Sequence, residues 1–218
     1  AVFILFLSIV KLGVGKGTLY CYSYPVFASI FSRFFLRERI RSLQWIFIVT
    51  ALLGMYLLAS GKSGGNFFAN PLGWFELVAI FGAVCSGAAI VMVKKLHDTE
   101  SSYAIFFAQC LVGFWLFVVP ANVVADAGGM SEGVLLLSIG TVAAVAQLLM
   151  TEGYRHVTVT TGALLNMLVP VFNFVLATAI FSESFNFMEI MGAVLVLVSC
   201  VLVISCDRLF PLKPSILK

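Results

Sequence analysis

Of the 218 residues in this chain, 61% are hydrophobic and 11% are charged, and the mean hydropathy is +1.09. Soluble domains carry about 25% charged residues, so this chain lacks the polar groups to cover a surface in water. It reads as an all-α integral membrane protein. The net charge of +3, with Lys and Arg at loop edges and not along a stripe, excludes a nucleic-acid partner.

A helix needs about 20 apolar residues to cross the hydrocarbon core. Residues 1–10, AVFILFLSIV, read as the tail of one helix. Seven further spans follow at about 17–36, 45–60, 73–93, 103–124, 134–151, 162–182 and 187–206. Turn chemistry separates them at KLGVGKG, GKSGGNFFANPLG, DTESS and ADAGGMSEG. Asn70-Pro71 is the expected start of the third span, with Glu76 in the first turn, where the helix dipole favours a carboxylate. Asn186 and Glu189 have the spacing of a capping box. Trp45 and Trp74 fall at span ends, as an aromatic belt requires.

Two stretches, Gly17–Ser60 and Gly162–Ser205, align without a gap at a constant offset of 145 residues. The anchors are Gly17 with Gly162, Pro25–Val26–Phe27 with Pro170–Val171–Phe172, and Glu38 with Glu183. Each copy is an apolar segment with a central proline, a carboxylate at its end, and a second apolar segment. In a membrane protein, an internal repeat of this kind points to a transporter built from two related halves. The register sets residue 1 opposite residue 146, inside an apolar helix. The N-terminus therefore reads as cut, and not as a signal peptide.

Sidedness follows from the basic residues. With the C-terminal tail in the cytoplasm, the inner segments hold Arg33, Arg37, Arg39, Arg41, Lys94, Lys95, Arg155, Arg208, Lys213 and Lys218. The outer loops hold only Lys11, Lys16 and Lys62. The mirror assignment fails the positive-inside rule. Glu38 then lies inside and Glu183 outside. The copies are an odd number of spans apart, which requires inverted repeats related by an axis in the membrane plane.

The two Pro…Glu units, GTLYCYSYPVFASIFSRFFLRERI and GALLNMLVPVFNFVLATAIFSES, resemble the drug/metabolite transporter superfamily, in particular its EamA-type members. The preceding QLLMTEGYRHVTVTTGALL is similar to the segment that leads into the family's penultimate helix. The resemblance implies a ten-helix bundle of two inverted-topology five-helix repeats that moves small metabolites by alternating access. About seven and a half of those helices are present here if the repeats are complete elsewhere. It divides the chain into the C-terminal part of a first repeat (1–60), an inter-repeat loop (61–73), a second repeat (74–206) and a cytoplasmic tail (207–218). The expected function is secondary transport of a small polar metabolite. The alternative is a non-transporting scaffold or receptor on the same fold. The partners are a small-molecule substrate and the lipid bilayer. Members work as monomers or dimers, which leaves a homodimer open.

Polar residues inside a bilayer are costly and usually face the bundle interior or a wet cavity. Gln147, Thr151 and Tyr154 follow i, i+4, i+7 on one helix face, and Asn166, Pro170 and Asn173 repeat the spacing. Tyr20 and Tyr24 share a face in the first copy. These seven polar and aromatic side chains are the candidate substrate contacts. The competing reading is hydrogen bonding between packed helices. Gln109 fits packing better than binding. Pro25 and Pro170 are expected to kink their helices, serving either as a gate or as a fixed bend. Glu38 and Glu183 lie about 20 Å beyond the prolines along the helix, at the membrane surface. They fit stabilisation of the next helix's N-terminus better than proton coupling.

The sequence holds no His-Glu-x-x-His motif, nucleophile elbow or P-loop, so no enzyme, metal or cofactor is expected. His97 and His156 read as solvated loop residues. The five cysteines, Cys21, Cys85, Cys110, Cys200 and Cys206, read as small apolar packers.

Overall fold

A computed structural model describes residues 2–12, 14–38, 40–63, 73–124, 130–181 and 186–209. The described residues are almost entirely helical and contain no strand. In chain order the helices are α1 (Val2–Leu12), α2 (Val14–Cys21), α3 (Tyr24–Phe31), α4 (Ser42–Ser63), α5 (Trp74–Leu96), α6 (Ser102–Val124), α7 (Met130–His156), α8 (Val159–Asn166), α9 (Leu168–Phe181) and α10 (Phe187–Leu209). A π-helical turn, Ser32–Leu36, continues α3.

Every span expected from the apolar runs is helical. Among the described residues, four helices are long and apolar enough to cross a membrane: Ser42–Ser60, Trp74–Leu96, Glu132–His156 and Phe187–Cys206. Helix α6 contributes a shorter apolar stretch, Ser102–Leu116. The spans expected at 17–36 and 162–182 are each divided into two helices. Of the expected KLGVGKG turn, Lys11 and Leu12 belong to α1 and the residues from Val14 onward to α2, while Gly13 lies outside the described residues. Helix α5 starts at Trp74, where the Gly73 carbonyl accepts the Leu77 N–H. Asn70, Pro71, Arg39, Glu183 and Ser184 lie outside the described residues.

The chain forms two compact units. One holds the described residues up to Val91 and from Thr158 onward, and the other is Met92–Val157. The first unit contains the apolar core. Phe47, Ile48, Ala51 and Met55 of α4 meet Ala193, Val196, Cys200 and Val203 of α10, with Leu164, Met167 and Val171 packed against them. The spacing of three and four along each helix puts these side chains on one stripe. Arg41 lies beside Cys206 at one end of the α4–α10 pair, with Nη1 4.0 Å from Sγ, and Gly54 meets Gly192 further along. The two helices are therefore antiparallel. They occupy the same position in the two copies, and antiparallel equivalents are what an axis in the membrane plane produces.

The same capping chemistry starts both helices. The Glu189 carboxylate accepts the Asn186 N–H at 3.1 Å, as the capping-box spacing predicts. Gln44, the repeat equivalent of Glu189, accepts the Arg41 N–H at 3.0 Å. Both side chains are buried.

In the second unit, residues 132–147 of α7 are exposed all round. An apolar helix without a polar face is at home in lipid, not water. At one end of this unit the Lys94 ammonium donates to the carbonyls of Tyr154 (2.8 Å), Arg155 (3.1 Å) and Val157 (2.8 Å). The first two are last-turn acceptors of α7 and Val157 follows its end, so the cation complements the negative end of the helix dipole. The Ser102 hydroxyl donates to Glu152 at the same end.

Candidate functional site: paired helix breaks

The two divided spans break at equivalent positions. Helix α2 ends at Cys21, and α8 ends at its repeat counterpart, Asn166. Proline explains the coincidence. Pro25 and Pro170 have no N–H to return to the carbonyl four residues earlier, and those residues are Cys21 and Asn166. The chain responds one turn before each ring. Ser23 takes φ −74° and ψ −5°, and its N–H turns to the Tyr20 carbonyl at 3.2 Å. Met167 takes φ −69° and ψ −8°, and its N–H turns to the Leu164 carbonyl at 3.0 Å. Helix resumes at Tyr24 and Leu168, so Pro25 stands in the first turn of α3, where a missing donor costs little. The disturbances expected at Pro25 and Pro170 are thus short breaks upstream of both rings, at Tyr22–Ser23 and at Met167, with Ser23 and Met167 in the right-handed helical region.

The breaks are neighbours. The Tyr24 hydroxyl, just past the first break, donates to the Ala163 carbonyl at 3.1 Å, within one turn of the second. Beneath the second break, the Cys200 thiol donates to the Leu164 carbonyl at 3.2 Å. Each break ends one half-helix and starts another, so carbonyl-rich and N–H-rich ends lie close together without a formal charge. Such discontinuous helices can hold both acceptor and donor groups of a polar ligand.

The expected site residues divide in this setting. Tyr20 and Asn166 are half-buried at the breaks. Tyr24 is buried and bonded between helices, and its ring centroid lies 6.2 Å from that of Tyr22. Asn173 is exposed on α9. The break at Met167 interrupts the register that would have placed it beside Asn166, while Pro170 stays with it on α9. In the second unit Gln147 is exposed, and its amide lies 3.5 Å from that of Gln109. Thr151 is buried and bonds back to the Gln147 carbonyl at 2.8 Å. Tyr154 is buried, and its hydroxyl has no hydrogen-bond partner among the described residues.

Sequence reasoning missed three polar contacts. His97 is not a free loop side chain, because its Nε2 lies 2.9 Å from the Thr151 carbonyl. His156 lies 3.3 Å from Glu152, which also pairs with Arg155. Glu38 does not serve the next helix, α4. Its carboxylate accepts the Ser32 hydroxyl and the Val159 N–H, the latter at 3.2 Å, at the N-terminus of α8. No group of three His, Cys, Asp or Glu that could hold a metal occurs among the described residues.

Helices long enough to span and breaks repeated in two copies are the architecture of a polytopic membrane protein. The model of the EamA-like transporter family matches residues 1–60 and 73–205, and the chain belongs to that family. It is 27% identical over 205 residues to the pseudopaline exporter CntI of Pseudomonas aeruginosa, covering 90% of this chain and 68% of that protein. It is 25% identical over 203 residues to the inner membrane transporter YedA of Escherichia coli, covering 88% and 62%. A riboflavin transporter of Vibrio cholerae is 24% identical over 132 residues, covering 60% and 42%. One solved crystal structure superposes with a TM-score of 0.81 at 18% identity, covering 96% of this chain and 74% of that one. At that identity the likeness speaks for the fold alone.

Proposed function

We propose that this protein is a secondary transporter that moves a small polar metabolite by alternating access, with substrate held at the paired breaks. The observation that carries this reading is the interruption of two equivalent helices at Cys21 and Asn166, joined by the Tyr24–Ala163 hydrogen bond. Tyr20 and Asn166 are the first substrate contacts to test, because both are half-buried at the breaks and carry polar groups. Tyr24 shapes the site through its bond to α8. Gln147, Thr151 and Tyr154 are further candidate contacts, with the Tyr154 hydroxyl still needing a partner. Asn173 is the weakest of the set, being exposed beside Phe172, Val175 and Leu176. The relatives' names include a pseudopaline exporter and a riboflavin transporter, which supports transport of a small molecule without choosing one.

The C-terminal side of α10 is assigned to the cytoplasm on the distribution of Lys and Arg. Contacts within the first unit support a common side for the segments given that assignment. Glu38 reaches the start of α8, and Arg41 reaches the end of α10.

Counterflow in proteoliposomes against amino acids, nucleotide sugars, nucleosides, flavins and polyamines tests the reading. Uptake above empty liposomes for one class, abolished by Asn166→Ala in a folded protein, is the expected result. A folded protein that moves no class in the panel would favour the scaffold or receptor alternative.

A further inference from the structure

Helices α3 and α8 are held together at two levels by bonds that cross between the repeats. At one level Tyr24 donates to Ala163, and at the other Glu38 accepts from Val159. Between these levels in chain order lie Ser29 on α3 and Thr160 on α8. Both are fully buried, and neither hydroxyl has a hydrogen-bond partner among the described residues. A buried hydroxyl without a partner is destabilising, and most such groups in folded proteins are satisfied. Two on a single pair of helices mark a conformation that gives up hydrogen bonds in order to be closed.

The segment that carries Glu38 is irregular. The turn over Ser32–Leu36 is π-helical, and Arg37 follows with φ 53°, the one positive φ among the described non-glycine residues. This reversal brings the Glu38 N–H to the Ser32 carbonyl at 3.4 Å and its carboxylate to the Ser32 hydroxyl. Glu38 therefore follows a wide π-helical turn closed by one left-handed residue and is not on a regular helix. π-helical turns and left-handed non-glycine residues cluster at functional and switch sites.

We propose that the α3–α8 seam is the inner leg of the substrate path, closed in this conformation, with Glu38 as its latch and Ser29 and Thr160 as path-lining hydroxyls. This rests on the transporter reading above. Release of the α8 N-terminus by Glu38 lets the helices part, and water or a polar substrate then supplies the bonds that Ser29 and Thr160 lack. The latch bond and the unsatisfied hydroxyls act in opposite directions, so the two conformations stay close in free energy, as a transport cycle requires.

Cysteine accessibility in membranes open to reagent from both sides tests the proposal. Ser29→Cys and Thr160→Cys are made separately in the full chain with the five native cysteines replaced. Each is treated with a charged methanethiosulfonate, with and without Glu38→Ala. Removing the latch should raise the modification rate at both positions by about tenfold, the scale of losing one charge-assisted hydrogen bond. Glu38→Gln, which keeps an acceptor for Val159, should raise it less, and it replaces Glu38→Ala if that variant does not fold. Val196→Cys, in the α4–α10 core, must stay unreactive throughout. Unchanged rates at Ser29→Cys and Thr160→Cys overturn the proposal. So does a parallel rise at Val196→Cys, which would make Glu38 a general stabiliser. Counterflow by the unsubstituted protein is read separately. Transport with an unresponsive seam removes the latch alone, and a responsive seam without transport removes the transporter reading.

Discussion

Gly54 of α4 and Gly192 of α10 meet backbone to backbone. A Cβ placed on Gly54 would sit 2.8 Å from the Gly192 carbonyl oxygen, and one on Gly192 would sit 2.6 Å from both the Gly54 oxygen and the Leu58 nitrogen. Backbone atoms cannot swing aside as a long side chain can. Glycine at this crossing lets the last helices of the two copies approach closely enough to pack without a hydrophobic driving force between them.

Gly192→Ala should therefore lower stability by about 1–3 kcal/mol, the range for overpacking a tight contact. Gly140→Ala is the matched control, since a Cβ there meets nothing within 4 Å. It should leave stability unchanged or raise it by up to about 1 kcal/mol through helix propensity. Thermal unfolding in detergent separates the two. Equal shifts for both variants would mean that the crossing tolerates a wider spacing.

The Lys94 ammonium closes the end of α7 by holding two of its last carbonyls and that of Val157 just beyond. Lys94→Met keeps much of the aliphatic stem and removes the cation, and it should cost about 2 kcal/mol. Lys95→Met, one residue on at an exposed position, should cost under about 0.5 kcal/mol. The comparison is again thermal, with loss of α7 amide protection in hydrogen exchange as the local readout. Lys94→Met unfolding like the parent would show that other groups already satisfy those carbonyls.

The helices were legible because a membrane imposes a length and a composition, and Gly, Pro, Asn and charge mark where each run stops. The Asn186–Glu189 cap was legible from spacing. Its counterpart at Arg41–Gln44 was hidden, because arginine carries no side-chain acceptor that would flag an N-cap, although the 145-residue offset pairs Gln44 with Glu189. The prolines announced a disturbance but not its position. The lost hydrogen bond belongs to the residue four places back, so each helix opens upstream of the ring. The partner of Glu38 could not be read from local pattern, since Val159 lies 121 residues away. For the same reason the pattern left Tyr24 between a substrate contact and a bond between packed helices, and could not point to the Ala163 carbonyl that its hydroxyl meets.

Inverted repeats demand that the loops after their first segments face opposite sides of the membrane. Arg37→Cys and Asn186→Cys, both at exposed positions, should label from opposite faces in sealed vesicles, with Arg37→Cys cytoplasmic. The native cysteines are replaced beforehand. Labelling of both from one face would be incompatible with an in-plane axis, whatever the distribution of Lys and Arg.

Pro25 and Pro170 give the last test, because they separate an interruption that serves the site from one that merely shapes the bundle. Alanine at position 170 restores the N–H that can return to the Asn166 carbonyl, and alanine at 25 does the same for Cys21. Each substitution should favour a continuous helix and raise thermal stability, since a proline in a helix interior costs about 3 kcal/mol relative to alanine. The gain should be below that figure at both positions, since Pro25 and Pro170 each stand in the first turn of a helix, α3 and α9. If half-helix ends hold the substrate, healing either break removes binding groups and stiffens the joint between α2 and α3 or α8 and α9. Counterflow should then fall by about tenfold, roughly the effect of losing one or two substrate hydrogen bonds. A Pro170→Ala protein that is more stable and transports at the parent rate would leave the break as a fixed feature of the bundle. The binding groups would then have to be sought at Gln147, Thr151 and Tyr154.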